Sequence, residues 1–170
     1  MTAAARAHVL MVDDEPSTLE LVRLILEEEG YRVTTAETGE IALEKFTAEP
    51  THVVITDLHL PGISGEELIP RLRQLAPQVP VLVLTAYGTI ESAVEMIKGG
   101  AYDYLKKPFE KEDLLIRVRK AVEHADMART IVNLRDRLRQ SATGDLLGDS
   151  PELRAIRRQL ETVAPAGYPV

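Results

Sequence analysis

Several polar residues stand where short apolar stretches end, and their types suit chemistry on an anionic group. In chain order they are Asp13, Asp14, Asp57, Thr85 and Lys107. The stretch before Asp57, Val53 to Ile55, is continuously apolar and β-branched, as in strands buried on both faces of a parallel sheet. In open α/β sheets, ligands bind beyond the carboxyl ends of the strands. The position of Asp57 therefore indicates a chemical role.

Each of these residues also has an ordinary interpretation when it is taken alone. Asp57 could be a solvated residue that starts a loop, and Thr85 a strand-end or N-cap hydroxyl. Asp13-Asp14 could cap a helix that has Pro16 at its first position. Lys107 could be a surface lysine. A shared site is favoured because all of these residues stand at or just after the carboxyl ends of predicted strands, at the same edge of one sheet.

Three carboxylates at that edge would repel one another and raise one another's pKa values unless a cation neutralised them. The candidate side chains offer oxygen ligands, with no Cys or His among them. Oxygen ligands suit a hard cation, and Mg2+ fits best. The sequence therefore predicts a magnesium site formed by Asp13, Asp14 and Asp57.

The elements that must position these residues alternate between strand and helix along the chain. The predicted strands are 8–12, 31–35, 53–57, 81–85 and 101–105. Between them lie helical patterns, two of which end at Gly30 and at Gly99-Gly100. This alternation predicts an α/β fold, a doubly wound five-stranded parallel sheet with five helices. If the strand order is 2-1-3-4-5, the first and third strands are neighbours at the topological switch point, and their carboxylates meet.

Composition limits the alternatives. The chain has 170 residues, 45% of them hydrophobic and 28% charged, which suits one well-packed core. It has no Cys, so disulfides and thiolate metal sites are excluded. Its net charge of −7 argues against a nucleic-acid surface over most of the chain. No signal peptide or membrane-spanning run is recognisable, so we expect a cytoplasmic protein without membrane contact.

The spacing of these residues resembles the receiver domain of bacterial two-component response regulators. The similarity covers residues 8 to about 125. It is carried by Asp13-Asp14, Asp57 followed by Pro61-Gly62, Thr85-Ala86, Tyr104 and Lys107-Pro108. We therefore expect a receiver domain over residues 1–125.

The resemblance implies a role for each of these positions. Asp57 would accept a phosphoryl group from a sensor histidine kinase. Asp13, Asp14 and the backbone carbonyl of His59 would help to hold Mg2+. Thr85 and Lys107 would contact the phosphoryl group. The Lys107-Pro108 peptide bond resembles one that is cis in the family, and Lys106 is expected to be a solvated neighbour.

Thr85 and Tyr104 form a predicted switch. If phosphoryl oxygens draw the Thr85 hydroxyl toward the site, the vacated space would let Tyr104 turn inward. That movement would remodel the surface of the fourth helix, fifth strand and fifth helix. The alternative is that Tyr104 is simply a half-buried core residue.

A long helix is predicted after the receiver, because no Gly or Pro occurs from Phe109 to Thr143. We expect it over 110–140 with a break at 141–145, and residues 126–145 to form a linker. The linker carries apolar residues at spacings of four, three and four, the pattern of a coiled coil, which predicts a homodimer. These residues are Met127, Ile131, Leu134 and Leu138. Alternatively, the same residues could pack against a tail helix that carries Leu153, Ile156 and Leu160.

Residues 146–170 resemble the opening of the AAA+ ATPase domain of NtrC-like sigma-54-dependent activators. A Walker-type phosphate loop does not occur in the sequence. The expected context is the regulatory fragment of a larger activator that would contact sigma-54 RNA polymerase and DNA through other domains. The alternative is a stand-alone receiver with a helical tail.

Two enzyme or cofactor classes fit less well. A phosphatase of the haloacid dehalogenase type also uses a strand-end Asp and Mg2+, but its motif has a second Asp where His59 stands. Its nucleophile usually follows the first strand, whereas Asp57 follows the third. A dinucleotide-binding domain would need G-x-G-x-x-G after a strand, which is lacking. We therefore expect a phosphoacceptor switch and not an enzyme with turnover.

Overall fold

The computed structural model describes residues 7–86 and 90–144, with the backbone alone for 90–93 and 139–144. Within these residues, five strands alternate with five helices. The strands are β1 (His8–Val12), β2 (Arg32–Ala36), β3 (Val53–Asp57), β4 (Val81–Thr85) and β5 (Asp103–Lys106). The helices are α1 (Pro16–Glu28), α2 (Gly39–Ala48), α3 (Gly65–Leu75), α4 (Ile90–Lys98) and α5 (Lys111–Gly144).

The strands form one parallel sheet in the order β2-β1-β3-β4-β5. This confirms the predicted fold class and strand order. Two strands begin later than predicted, β2 by one residue and β5 by two. The apolar sequence begins before the hydrogen-bonded strand in both cases. Tyr31 and Ala101 are buried beside the sheet but are not part of its strands.

The sheet is covered on both faces. β1, β3 and β4 are buried at all five positions, as their continuous apolar sequences predict. Alternate residues supply two separate cores, since successive side chains of a strand point to opposite faces. One core joins α1 and α5 to residues such as Met11 and Ile55. The other joins α2, α3 and α4 to residues such as Leu10 and Val54.

Side-chain caps fix the start of the two helices that flank the candidate site. Thr38 caps α2 by accepting a hydrogen bond from the Ile41 N–H group. Ser64 and Glu67 form a reciprocal capping box at the start of α3. α1 has Pro16 at its first position, but its N-cap residue is Glu15 and not the Asp13-Asp14 pair.

Helix α5 runs from Lys111 through Gly144, a span of 34 residues. The predicted long helix is therefore present, but the break expected to begin at residue 141 is wrong, because the helix continues to Gly144. The chain divides into two compact units, Met1–Arg129 and Thr130–Val170. The predicted ATPase-domain start at 146–170 lies outside the described residues, as does the tail helix of Leu153, Ile156 and Leu160. Within the described part of the chain, no helix is long and apolar enough to cross a membrane.

Candidate functional site

Strand register brings the candidate residues to one edge of the sheet. Val12 of β1 pairs with Thr56 of β3, so the residues that follow them, Asp13 and Asp57, are neighbours at the carboxyl ends. On the other side of β3, Asp57 pairs with Leu84, which puts Thr85 one residue further along β4. These positions follow from parallel pairing alone.

Lys107 joins the two carboxylates. Its Nζ atom donates hydrogen bonds to Asp13 Oδ2 at 2.6 Å and to Asp57 Oδ2 at 2.5 Å. The three side chains are largely shielded from water, with exposures of 19% for Lys107, 1% for Asp13 and 11% for Asp57. The neighbouring Lys106 is exposed. The ammonium of Lys107 is therefore the positive charge that faces both carboxylates.

The backbone around Lys107 fixes its direction. The Lys107 N–H group donates to the Thr85 carbonyl at 2.8 Å, which ties the end of β5 to the end of β4. The following peptide bond, Lys107–Pro108, is cis. Because of the bond to Thr85, the lysine side chain starts from the same edge of the sheet that carries Asp13 and Asp57.

The second oxygen of each carboxylate is held by the backbone. Asp57 Oδ1 accepts a hydrogen bond from the His59 N–H group at 3.0 Å, and Asp13 Oδ1 accepts one from the Glu15 N–H group at 3.0 Å. Such charge-assisted bonds fix the carboxylate rotamers. Both carboxylates are thus oriented before any ligand arrives.

Electrostatics at this edge favour another cation. Burial raises the pKa of Asp13 above its ordinary value, and the hydrogen bonds from Lys107 and Glu15 only partly oppose it. Burial also works against the charged form of Lys107, but its bonds to Asp13 and Asp57 outweigh that cost and raise the pKa of the ammonium. One ammonium offsets one of two carboxylates, so the group keeps a net negative charge when both carboxyls are ionised.

The other predicted magnesium ligands are placed differently. The Asp14 side chain and His59 are exposed. Among the described residues, no three acidic or imidazole side chains come together as a metal-binding cluster. The structure therefore brings Asp13 and Asp57 together through Lys107, and the part of Asp14, at an exposed position, stays a prediction. The donors nevertheless suit Mg2+, since carboxylate and backbone oxygens are what this ion prefers, and one ammonium leaves the pair of carboxylates with a net negative charge.

The predicted switch residues lie on adjacent strands. Thr85 is fully buried at the end of β4. Tyr104, on β5, pairs with Val83 and is half-buried, and its ring packs against the core that includes Met96. This packing is what the alternative interpretation, a half-buried core residue, describes.

One residue near the site has no signal in the sequence. Glu40, in the first turn of α2, accepts a hydrogen bond from the Ile63 N–H group in the loop that follows Asp57. A glutamate in a first helical turn is common for reasons of helix stability alone, so only the fold reveals this contact.

Comparisons with known proteins agree with this geometry. A family model, the response regulator receiver domain, matches residues 9–119. The chain is 33% identical over 161 residues to the transcriptional regulatory protein ZraR of Klebsiella oxytoca, covering 95% of this chain and 35% of the relative. It therefore spans about a third of the length of that relative.

Two solved structures extend the comparison. A crystal structure of NtrX from Brucella abortus in complex with ADP matches with a TM-score of 0.72 and 32% identity, covering 95% of this chain and 35% of that one. A response regulator receiver domain from Clostridium thermocellum matches with a TM-score of 0.67 and 32% identity, covering 72% of this chain and 98% of that one.

Proposed function

Because the chain belongs to the response regulator receiver domain family and is homologous to NtrC-like sigma-54 activators, we propose that it is switched by phosphorylation of Asp57. The donor is a sensor histidine kinase, and the reaction requires Mg2+. The observation that carries the proposal is the contact of Lys107 Nζ with both Asp13 Oδ2 and Asp57 Oδ2.

The chemistry follows from charge. A carboxylate oxygen of Asp57 attacks phosphorus, the bond from phosphorus to the kinase imidazole breaks, and that imidazole leaves with the bonding electron pair. The incoming phosphoryl oxygens bring negative charge to an edge that is already acidic, so transfer requires positive charge there. Lys107 supplies one such charge as a flexible point cation.

The magnesium ligands in this proposal are Asp13, Asp14, Asp57 and the backbone carbonyl of His59. When bound, Mg2+ would offset the charge of the carboxylates and of the phosphoryl oxygens. Lys107 and Thr85 would contact the phosphoryl group. Support comes from the shielding of both Asp13 and Asp57 beside a single ammonium, which leaves a net negative charge, and from the backbone bonds that orient both carboxylates.

The proposed output is a change in the surface formed by α4, β5 and α5, driven by Thr85 and Tyr104. A homodimer joined through α5 would carry that change onward. In a longer protein of the NtrC kind, the phosphorylated receiver would control an ATPase that acts on sigma-54 RNA polymerase at DNA, through regions that this sequence does not contain. Residues 1–125 are the proposed receiver, 126–145 the linker and 146–170 the start of the ATPase domain.

The test is covalent labelling measured by intact mass. With acetyl phosphate and Mg2+, the wild-type chain should gain one phosphoryl group, whereas with a chelator in place of Mg2+ it should gain none. Asp57→Asn should gain none under either condition, because an amide oxygen is a far weaker nucleophile than a carboxylate.

The matched control is Asp113→Asn, the same chemical change at an exposed position in the first turn of α5. It should be labelled like the wild type. Equal labelling of Asp57→Asn and wild type would refute the assignment of Asp57. Repeated turnover of the phosphodonor without a stable adduct would favour the phosphatase class instead.

A further inference from the structure

The loop between β3 and α3, residues 58–64, lies against the first turn of α2. This loop contains His59, whose backbone carbonyl is one of the proposed magnesium ligands. Glu40 Oε1, from α2, accepts a hydrogen bond from the Ile63 N–H group at 3.0 Å. The carboxylate thus holds the far end of the loop, four residues after His59.

Two glycines show how close this contact is. A Cβ atom on Gly62 would lie 2.4 Å from Glu40 Oε1, and Gly62 has a φ of +74°. A Cβ atom on Gly39 would lie 2.6 Å from the Ile63 carbonyl oxygen. The Gly39 distance leaves no room for a side chain, because the neighbouring atom belongs to the backbone. At Gly62 a side chain would displace the Glu40 carboxylate, so the loop backbone lies in direct contact with Glu40 and with the residue before it.

The other end of the loop is fixed to the phosphoacceptor strand. The His59 N–H group donates to Asp57 Oδ1, and the Gly65 N–H group donates to the Leu58 carbonyl at 2.8 Å. Two hydrogen bonds therefore fix the loop around His59: the bond from the His59 N–H group to Asp57, and the bond from the Ile63 N–H group to Glu40.

Glu40 is suited to remain an acceptor at neutral pH. Its own backbone N–H group is the largest cause that lowers the pKa of the carboxyl, and the Ile63 N–H group lowers it further. Both donors lie close to the N-terminus of α2, where the helix dipole stabilises a carboxylate.

We propose that Glu40 is a positioning residue for the phosphoacceptor site: by holding Ile63, it sets the direction of the His59 carbonyl toward the cation. This inference rests on the proposed function. Glu40 touches neither the cation nor the phosphoryl group. It acts through the loop, as residues that orient metal ligands generally do.

The test compares Glu40→Ala with Glu40→Gln. Glutamine keeps an oxygen that can accept the Ile63 N–H bond, whereas alanine removes the acceptor. Mg2+ affinity is measured by titration of the amide NMR signals of His59 and Ile63, and labelling by acetyl phosphate is followed at limiting and saturating Mg2+. Glu44→Ala, at an exposed position of the same helix, is the matched control for lost charge.

Glu40→Ala should weaken Mg2+ binding by about tenfold, within the range seen when partners of metal ligands are removed. Its labelling rate should be low at limiting Mg2+ and recover at saturation. Glu40→Gln should bind Mg2+ nearly as the wild type does, and Glu44→Ala should not differ from it.

Two results would overturn the inference: unchanged Mg2+ affinity in Glu40→Ala, or equal losses in Glu40→Ala and Glu40→Gln, which would assign the effect to charge. Failure of the proposed function is distinguishable, because the wild-type chain would then not be labelled at all. Faster hydrogen exchange of the Ile63 amide in Glu40→Ala, measured without Mg2+, provides a reading of the loop that does not depend on phosphorylation.

Discussion

Lys107 holds two carboxylates that have little access to water. Removing one partner of a buried ion pair is costly because the remaining charge stays desolvated. The Lys107 ammonium donates hydrogen bonds to two carboxylates, and the same two carboxylates are proposed ligands of Mg2+. If Mg2+ binds as proposed, it competes with the lysine for Asp13 and Asp57.

This competition gives a prediction for Lys107→Ala. Without the ammonium, the two carboxylates lack their positive partner, so the variant should bind Mg2+ on the order of tenfold more tightly, about 1.4 kcal/mol. Its labelling by acetyl phosphate should nevertheless be slower, because the phosphoryl oxygens lose a cationic contact. Mg2+ binding is measured by calorimetric titration.

Lys106→Ala is the control, since Lys106 is adjacent in sequence but exposed. It should match the wild type in both measurements. If Lys107→Ala bound Mg2+ with unchanged affinity, lysine and metal would not share ligands.

Among the elements, β4 and β5 would connect the site to the α4 surface. Thr85 ends β4 at the site, and Tyr104 lies on the neighbouring strand. An aromatic ring with a polar tip can be accommodated either facing inward or at a surface. Tyr104 is half-buried, between these two arrangements.

The switch prediction is tested by NMR before and after phosphorylation. Signals of α4, β5 and the first turns of α5 should shift together with those of Thr85. In Thr85→Ala, labelling of Asp57 should persist at a reduced rate, but the α4 shifts should be lost because the hydroxyl that couples the two is absent. Shifts confined to the pocket in the wild type would favour the simple core role of Tyr104.

At the amino-terminal ends of the strands, opposite to the candidate site, His8 and His52 form a pair linked by hydrogen bonds. The His8 backbone N–H group donates to His52 Nδ1 at 3.1 Å, and the His52 N–H group donates to the His8 carbonyl. Because Nδ1 of His52 accepts a hydrogen bond, this imidazole is neutral in the folded chain. Burial lowers the pKa of His52 below its ordinary value of 6.5, and the nearby Arg129 lowers it further.

The resulting pH dependence has a definite sign. The unfolded chain binds a proton at His52 more readily than the folded chain does, so this residue makes the free energy of unfolding fall as pH drops below about 6.5. Urea unfolding between pH 7.5 and 5.5 should show this loss in the wild type. His52→Asn keeps an acceptor without titrating, and its midpoint should change less with pH.

His124→Asn is the matched control, because His124 is an exposed histidine on α5. It should retain the pH dependence of the wild type. An identical slope in His52→Asn and wild type would assign the acid sensitivity to other groups.

For the whole molecule, the exposed apolar residues in the later part of α5 are the feature that the packing of the receiver core does not explain. Exposures along the helix are 65% for Met127, 50% for Ile131, 53% for Leu134 and 69% for Leu138. Their spacing is that of a coiled-coil seam. Exposed apolar residues in such a row favour pairing with a second helix.

We expect a homodimer through this row. Light scattering should give twice the 18.8 kDa monomer mass for the wild type. Combining Ile131→Asp with Leu134→Asp should give the monomer mass while Asp57 still accepts a phosphoryl group. Val132→Asp places one of the two added charges at an exposed apolar residue outside the a/d row, and it should remain dimeric.

If the double variant kept the dimer mass, the interface would lie elsewhere, with the surface of α4, β5 and α5 as the next candidate. If the wild type were itself a monomer, the row would be covered within one chain or left open.

The sequence by itself determined the sheet and the residues at its edge. Continuous apolar runs such as 53–57 specify strands buried on two faces, and helical periodicity with glycine stops specifies the elements between them, because both are local patterns of side-chain placement. Given the strand order 2-1-3-4-5, the positions of Asp13, Asp57 and Lys107 at or just after strand ends place them at the same edge of the sheet.

Tertiary structure alone decided which side chains touch. Lys107 lies 94 residues from Asp13 and 50 from Asp57, and Ile63 lies 23 from Glu40. No local pattern specifies contacts at such separations, since they depend on register and on the packing of α2 beside the loop. The exposure of Asp14, the Glu40–Ile63 bond and the pairing of His8 with His52 became visible only when distant segments were brought together.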